Sequence, residues 1–119
     1  METEGFHIAR RGDTLAVAAL RPVVTAPQMR ELVAEVGPQI ESGRAVNVVF
    51  DMSRVEYLDS ACLAKLFALL SPVQEANGHI ALAHCQPNVE FLLRMTRLDL
   101  LFELADSVDE AMASLRQAV

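Results

Sequence analysis

Apolar positions follow two different periods along the chain, and together they predict a strand that leads into a helix. Residues 46–50 form a continuous β-branched and aromatic run, which is typical of a strand buried on both faces of a sheet. Further along, apolar residues recur at i, i+3, i+4 and i+7, the spacing of one helix face: Leu63, Leu66, Phe67 and Leu70. This strand, the polar loop after it and the helix form the centre of the predicted fold.

Asp59 and Ser60 stand where that helix begins. Their side-chain oxygens can accept hydrogen bonds from the free N–H groups of the first turn. A helix start also carries the positive end of the helix dipole, which favours an anion or a regulatory phosphate. Plain capping is the more common role of these residue types, and both roles stay open at this point.

The patterns on either side of this centre predict the remaining elements. They are a hairpin around Gly12–Asp13, a helix from Pro27 to Ile40, a strand at 79–83, a helix at 89–97, a strand at 100–104 and a last helix capped by Asp106 and Ser107. Pro38, and Pro72 within the central helix predicted over 59–77, each predict a bend or local break. The order β-β-α-β-α-β-α-β-α predicts an α/β fold with a mixed, mostly parallel sheet of roughly four to five strands and about four helices.

Length and charge restrict the class of protein. A chain of 119 residues is expected to form one domain, residues 1–119. Its net charge of −6 disfavours nucleic acid as a partner, and no apolar stretch approaches the roughly 20 residues of a membrane span. Cys62 and Cys85 lack Cys-x-x-Cys or Cys/His ligand spacing and the chain starts without an apolar leader, so we expect a cytoplasmic protein with reduced thiols.

The sequence resembles the STAS domain of bacterial anti-sigma factor antagonists over nearly its full length. The runs that carry the resemblance are VVFDMSRVEYLDSACLAKLFALL (48–70), GHIALAHCQPNVEFLLRMTRLDLLFEL (78–104) and DSVDEAMASL (106–115). The family pattern has a buried strand ending in Asp, a hydrophobic residue before Asp-Ser and a later Leu-Phe strand. Asp51, Leu58, Asp59, Ser60, Leu63, Leu98 and Phe102 occupy these places. The resemblance implies a STAS-like fold and a non-enzymatic module that regulates transcription by binding an anti-sigma factor kinase.

Two positions depart from the family pattern at the switch. The resemblance implies a phosphorylated Ser or Thr where this chain has Ala61, and a glycine where it has Cys62. Alanine has no hydroxyl, so we expect no phosphorylation at the usual position, and a side chain at Cys62 where the family lets the backbone approach a partner. The expected partner-binding and switch region is Asp51, Tyr57, Leu58, Asp59, Ser60, Ala61 and Cys62, with Ser60 the remaining hydroxyl for a regulatory phosphate.

Other functions have weaker support in the sequence. Asp59-Ser60-Ala61 followed by Leu63-Ala64 also resembles the STAS subunits of lipid-transporting ATP-binding cassette complexes. A nucleotide-binding or enzymatic role lacks a phosphate loop, and the carboxylates of Asp51 and Asp59 have no companion base or nucleophile. His7, His79 and His84 show no ligand spacing, so we expect neither a metal nor a cofactor. At a helix start, Cys62 could have a lowered pKa, which leaves redox sensing as a minor alternative to a buried structural role.

Overall fold

The computed structural model of the protein describes residues 1–117. The strands are β1 Phe6–Arg11, β2 Thr14–Ala19, β3 Val23–Val24, β4 Asn47–Asp51, β5 Tyr57–Leu58, β6 Ile80–Ala83 and β7 Glu103–Ala105. The helices are α1 Ala26–Glu41, α2 Ser60–Phe67, α3 Leu70–Glu75, α4 Pro87–Met95 and α5 Val108–Gln117, with a 3₁₀ turn at Leu98–Leu100.

Five strands form the main sheet in the order β1-β2-β4-β6-β7. The hairpin partners β1 and β2 are antiparallel, and the pairs β2–β4, β4–β6 and β6–β7 are parallel. The predicted α/β fold with an antiparallel edge is therefore confirmed. The strand β4 lies in the middle of the sheet, and residues 47–50 are buried as the continuous apolar run predicts.

The two faces of the sheet are covered unequally. Alternate residues of β4 and β6, such as Phe50 and Leu82, face a large core built with residues of α1, α2, α3 and α4. The opposite face has a smaller core, in which Val49, Ala81 and Ala83 pack against Ala111 and Leu115 of α5. The unit β4–α2 thus lies against the larger core, which holds the start of α2 in place.

The central helix predicted over 59–77 is divided in two. The helix α2 ends at Phe67 and α3 begins at Leu70, so the break precedes Pro72, which lies in the first turns of α3. Phe67, predicted on the inner face, is the last residue of α2 and is 51% exposed. By contrast, Pro38 is accommodated within α1, which continues to Glu41.

The last strand, predicted at 100–104, begins three residues later than predicted and spans Glu103–Ala105. Arg97 has a positive φ of 63° and ends the α4 region, after which Leu98–Leu100 form a 3₁₀ turn rather than the start of a strand. The carbonyl oxygen of Leu98 accepts from the N–H groups of both Leu101 and Phe102. Leu100 and Leu101 are consequently exposed, and β7 begins only at Glu103.

Candidate functional site

A second, two-stranded sheet holds the loop before α2. Its strands β3 and β5 pair in parallel, with Val23 opposite Tyr57 and Val24 opposite Leu58. The carbonyl oxygen of Pro22 also accepts from the N–H of Glu56 at 2.8 Å. The sequence pattern predicts neither strand, because a two-residue strand is too short to show a period. This pairing fixes the loop through which the chain enters α2.

Asp59 caps α2, as its residue type predicts. One carboxylate oxygen accepts from the backbone N–H of Cys62 at 2.8 Å. That hydrogen bond is the main cause that lowers the pKa of the Asp59 carboxyl below its ordinary value, and the N–H of Ala61 contributes in the same direction. Asp59 is thus a fixed negative charge at the positive end of the α2 dipole.

Ser60 and Ala61, the first two residues of α2, are both exposed. Tyr57, two residues before the cap, is 57% exposed, whereas Leu58 is buried. The structure therefore brings Tyr57, Asp59, Ser60 and Ala61 to one surface around the start of α2.

Cys62 lies on the inner side of α2 and does not belong to that surface. Its side chain is 1% exposed, and its Sγ donates a hydrogen bond to the carbonyl oxygen of Val24 at 2.9 Å. Burial is the main cause that raises the pKa of this thiol to about 11. The structure thus agrees with the buried role that the sequence favours for Cys62. The minor alternative of a lowered pKa is wrong, because burial and the nearby Asp59 charge outweigh the helix dipole. Because the Cys62 side chain points inward, it does not cover the outer side of the first turn, where Ser60 and Ala61 are exposed.

Asp51 has a different local role. One carboxylate oxygen accepts from the N–H of Ser53 at 3.0 Å, which stabilises the turn after β4. The carboxylate of Asp59, by contrast, caps α2. The two carboxylates therefore stabilise different segments, Asp51 the turn after β4 and Asp59 the first turn of α2.

An open cleft lies beside the start of α2. It encloses about 450 Å³ and is lined by Leu58, Ser60 and Leu63 on one side and by Asn88, Phe91 and Leu92 of α4 on the other. We refer to it as the α2–α4 cleft. Phe91 is 64% exposed, and Met95, one turn further along α4, is 66% exposed. The sequence pattern was not interpreted as predicting this part of the surface. Phe91 and Met95, spaced i and i+4, fall outside the inner stripe of Val89 and Leu93, and that spacing is the signal that indicates it.

Two side chains of the α4 region hold it against the loop before α2. The Nδ2 of Asn88 donates to the carbonyl oxygen of Glu56, and the Nε2 of Gln86 donates to the carbonyl oxygen of Ser53 at 3.1 Å. Because both acceptors are backbone atoms of the β4–β5 connection, the position of α4 is tied to that of the loop.

Within residues 1–117, no group of three or more His, Cys, Asp or Glu side chains is arranged to hold a metal ion. His7, His79 and His84 are each exposed. In the same part of the chain, none of the helices combines the length and the apolar character needed to cross a bilayer.

Comparison with known proteins places this geometry in a family. The model of the STAS domain matches residues 10–111. A protein of Bordetella bronchiseptica named as an anti-sigma factor antagonist, BtrV, is 26% identical over 107 residues, which cover 90% of this chain and 91% of the relative.

Two solved structures have the same fold. The anti-sigma factor antagonist structure from Thermotoga maritima superposes with a TM-score of 0.80 at 22% identity, covering 95% of this chain and 96% of that one. The anti-sigma factor antagonist SpoIIAA in its unphosphorylated form superposes with a TM-score of 0.83 at 16% identity, covering 96% of this chain and 98% of that one. The resemblance inferred from the sequence is confirmed, and the chain belongs to the STAS domain family.

Proposed function

We propose that this chain is a non-enzymatic, cytoplasmic module of the anti-sigma factor antagonist type that regulates transcription by binding an anti-sigma factor kinase. The name of the Bordetella relative and the STAS match over residues 10–111 support this proposal. The two cysteines are free, as is usual in a reducing compartment. The proposed contact surface is β5 and the first turn of α2.

The observation that carries the proposal is the exposure of Tyr57, Ser60 and Ala61 around the capped start of α2. Tyrosine is enriched at protein interfaces because it combines apolar area with a polar group. The loop is held on both sides, by pairing with β3 and by the hydrogen bonds from the α4 region. A preordered loop loses little conformational entropy on binding, which favours recognition of a protein partner.

We further propose that the partner is bound without a phosphorylation switch at the usual position. Ala61 has no hydroxyl to accept a phosphoryl group, and its exposed methyl group leaves the surface uncharged there. Ser60 is exposed, but a phosphate on it would stand next to the ionised carboxylate of Asp59. Like-charge repulsion opposes the gain from the helix dipole at that position.

Intact-mass measurement after incubation with candidate anti-sigma factor kinases and ATP tests the switch. We expect no added phosphate on the native chain, and a phosphate on the variant Ala61→Ser, which restores a hydroxyl. A stoichiometric phosphate on Ser60 of the native chain would overturn the unswitched mechanism. Ser60→Ala then identifies the modified residue.

Affinity purification from the native cell, followed by binding measurements with the purified partner, tests the function itself. We expect a histidine-kinase-like protein, and a loss of at least about tenfold in affinity for Ala61→Glu. Ala34→Glu is the matched control because Ala34 is also an exposed helical alanine, but on α1. Recovery of a transporter ATPase in place of a kinase would indicate the lipid-transport alternative. A rise in thermal stability with ATP or GTP alone would instead support nucleotide binding.

A further inference from the structure

The outer side of α4 carries apolar side chains that the rest of the chain does not cover. Phe91 and Met95 are separated by one helical turn, so they form a ridge along the helix, and both are about two-thirds exposed (64% and 66%). The ridge borders the α2–α4 cleft, whose floor includes Leu58 and Leu63. An apolar ridge beside an apolar groove is the surface on which a second helix packs.

The charges at this cleft have one sign. Glu56 and Asp59 line it, and no Lys or Arg is among its described lining residues. Arg94, the arginine of α4, is already paired with Glu90 at 2.7 Å and with Asp99 at 3.6 Å. The cleft therefore attracts positive charge and disfavours a second copy of this acidic chain, whose net charge is −6.

We propose that the α2–α4 cleft, together with Phe91 and Met95, binds a basic amphipathic helix of the partner protein. Apolar side chains of that helix enter the cleft between Leu63 and Leu92, and its Lys or Arg residues face Glu56 and Asp59. The inference rests on the proposed function and extends the contact surface from α2 to α4. In it, Asn88 is a positioning residue, because its hydrogen bond to the carbonyl oxygen of Glu56 joins α4 to the loop on the other side of the cleft.

A synthetic helical peptide tests the recognition directly. It is about 20 residues long, since shorter helices are marginal in water, and has Leu at i, i+3, i+4 and i+7 with Lys on both flanks. We expect it to shift the backbone amide resonances of Leu63, Phe91 and Met95 in the isotopically labelled chain. A second peptide with the same Leu positions and Glu in place of Lys should bind at least about tenfold more weakly at low salt. Equal binding of the two peptides would overturn the charge assignment.

Variants of the chain locate the site. Phe91→Ala should weaken binding of the Lys peptide about tenfold, while Phe67→Ala should change it less than about twofold. Phe67 is the matched control because it is an exposed Phe at the opposite end of α2 from Asp59.

Asn88→Ala should also weaken binding of the Lys peptide, while Gln39→Ala, on α1, should not. Resonance shifts confined to another surface, or equal effects of Phe91→Ala and Phe67→Ala, would overturn the proposal.

Binding of the purified partner separates this inference from the proposed function. If Ala61→Glu abolishes binding and Phe91→Ala leaves it unchanged, the role of α4 is wrong while the function stands. If Ala61→Glu has no effect on binding, the start of α2 is not the contact surface and the proposed function is contradicted. A native chain that dimerises, together with a monomeric Phe91→Ala variant, would identify a second copy as the occupant and overturn the proposal.

Discussion

The Sγ of Cys62 lies 2.9 Å from the carbonyl oxygen of Val24 and donates a hydrogen bond to it. This contact joins the first turn of α2 to β3, and β3 in turn pairs with the strand that leads into α2. Cys62, at one of the two positions where the family resemblance implies a different residue, therefore ties the first turn of α2 to the two-stranded sheet. The exposed side of the turn is formed by Ser60 and Ala61.

Replacement of Cys62 by glycine, the residue that the family resemblance implies at this position, should destabilise the chain. The change removes a buried side chain and its hydrogen bond, and it places glycine in a helix, so we expect a loss of about 2 to 3 kcal/mol in the free energy of unfolding. Ala61→Gly is the matched control, since it should cost only about 1 kcal/mol from helix propensity. Urea unfolding of the two variants measures the difference, and equal losses would contradict a structural role for the thiol.

The same burial should make Cys62 slow to react. With its pKa raised to about 11 by burial, the thiol is protonated at neutral pH, and thiolate is the reactive form. We expect alkylation by iodoacetamide at neutral pH to be at least about tenfold slower in the folded chain than in urea. The thiol of Cys85 also has a pKa raised to about 11 but is only partly buried, so it should react before Cys62. Peptide mass mapping distinguishes the two, and rapid modification of Cys62 would restore the redox alternative.

Gly78 is needed for space rather than for its backbone conformation. A Cβ atom at this position would lie 1.7 Å from the carbonyl oxygen of Val46, while the positive φ of the turn belongs to Asn77. We expect Gly78→Ala to cost about 3 kcal/mol in the free energy of unfolding, because backbone must move to admit the methyl group. The control is Gly37→Ala in α1, where a Cβ meets nothing within 4 Å. It should stabilise the chain by about 0.5 to 1 kcal/mol.

Most of the fold follows from apolar periodicity and from the residues at helix ends. The run at 46–50 predicts the buried centre of β4, and Thr25 indicates the start of α1, where its Oγ1 accepts from the N–H of Gln28. Ser107 caps α5 in the same way, by accepting from the N–H of Glu110. These signals are local, so they can be recognised without knowledge of the tertiary structure.

The parts that the sequence did not reveal depend on contacts between distant segments. The sequence favours a buried Cys62 but gives no sign of its acceptor, the carbonyl oxygen of Val24 in β3, which lies 38 residues earlier. The exposure of Phe91 and Met95 depends on which face of α4 packs on the sheet, and the hydrogen bond of Asn88 reaches the loop before α2. The sequence therefore located the helix start of the candidate site but not the α4 side of its cleft.

The charge on Asp59 should make stability depend on pH at the acid end of the titration. Because hydrogen bonds to the carboxylate lower the pKa of Asp59 from its ordinary value of 3.8, the ionised form stabilises the folded state at every pH above that value. That stabilisation is lost as the pH falls below about 4 and through the lower pKa of the folded state.

In Asp59→Asn, the amide still caps α2 but does not titrate. The difference in free energy of unfolding between the native chain and this variant should therefore be constant from neutral pH to about pH 5 and shrink below it. Ser60→Ala, which removes no titrating group, should show a difference that is independent of pH in the same urea-unfolding series. A constant difference for Asp59→Asn down to pH 2 would mean that its carboxylate is not held by the first turn of α2.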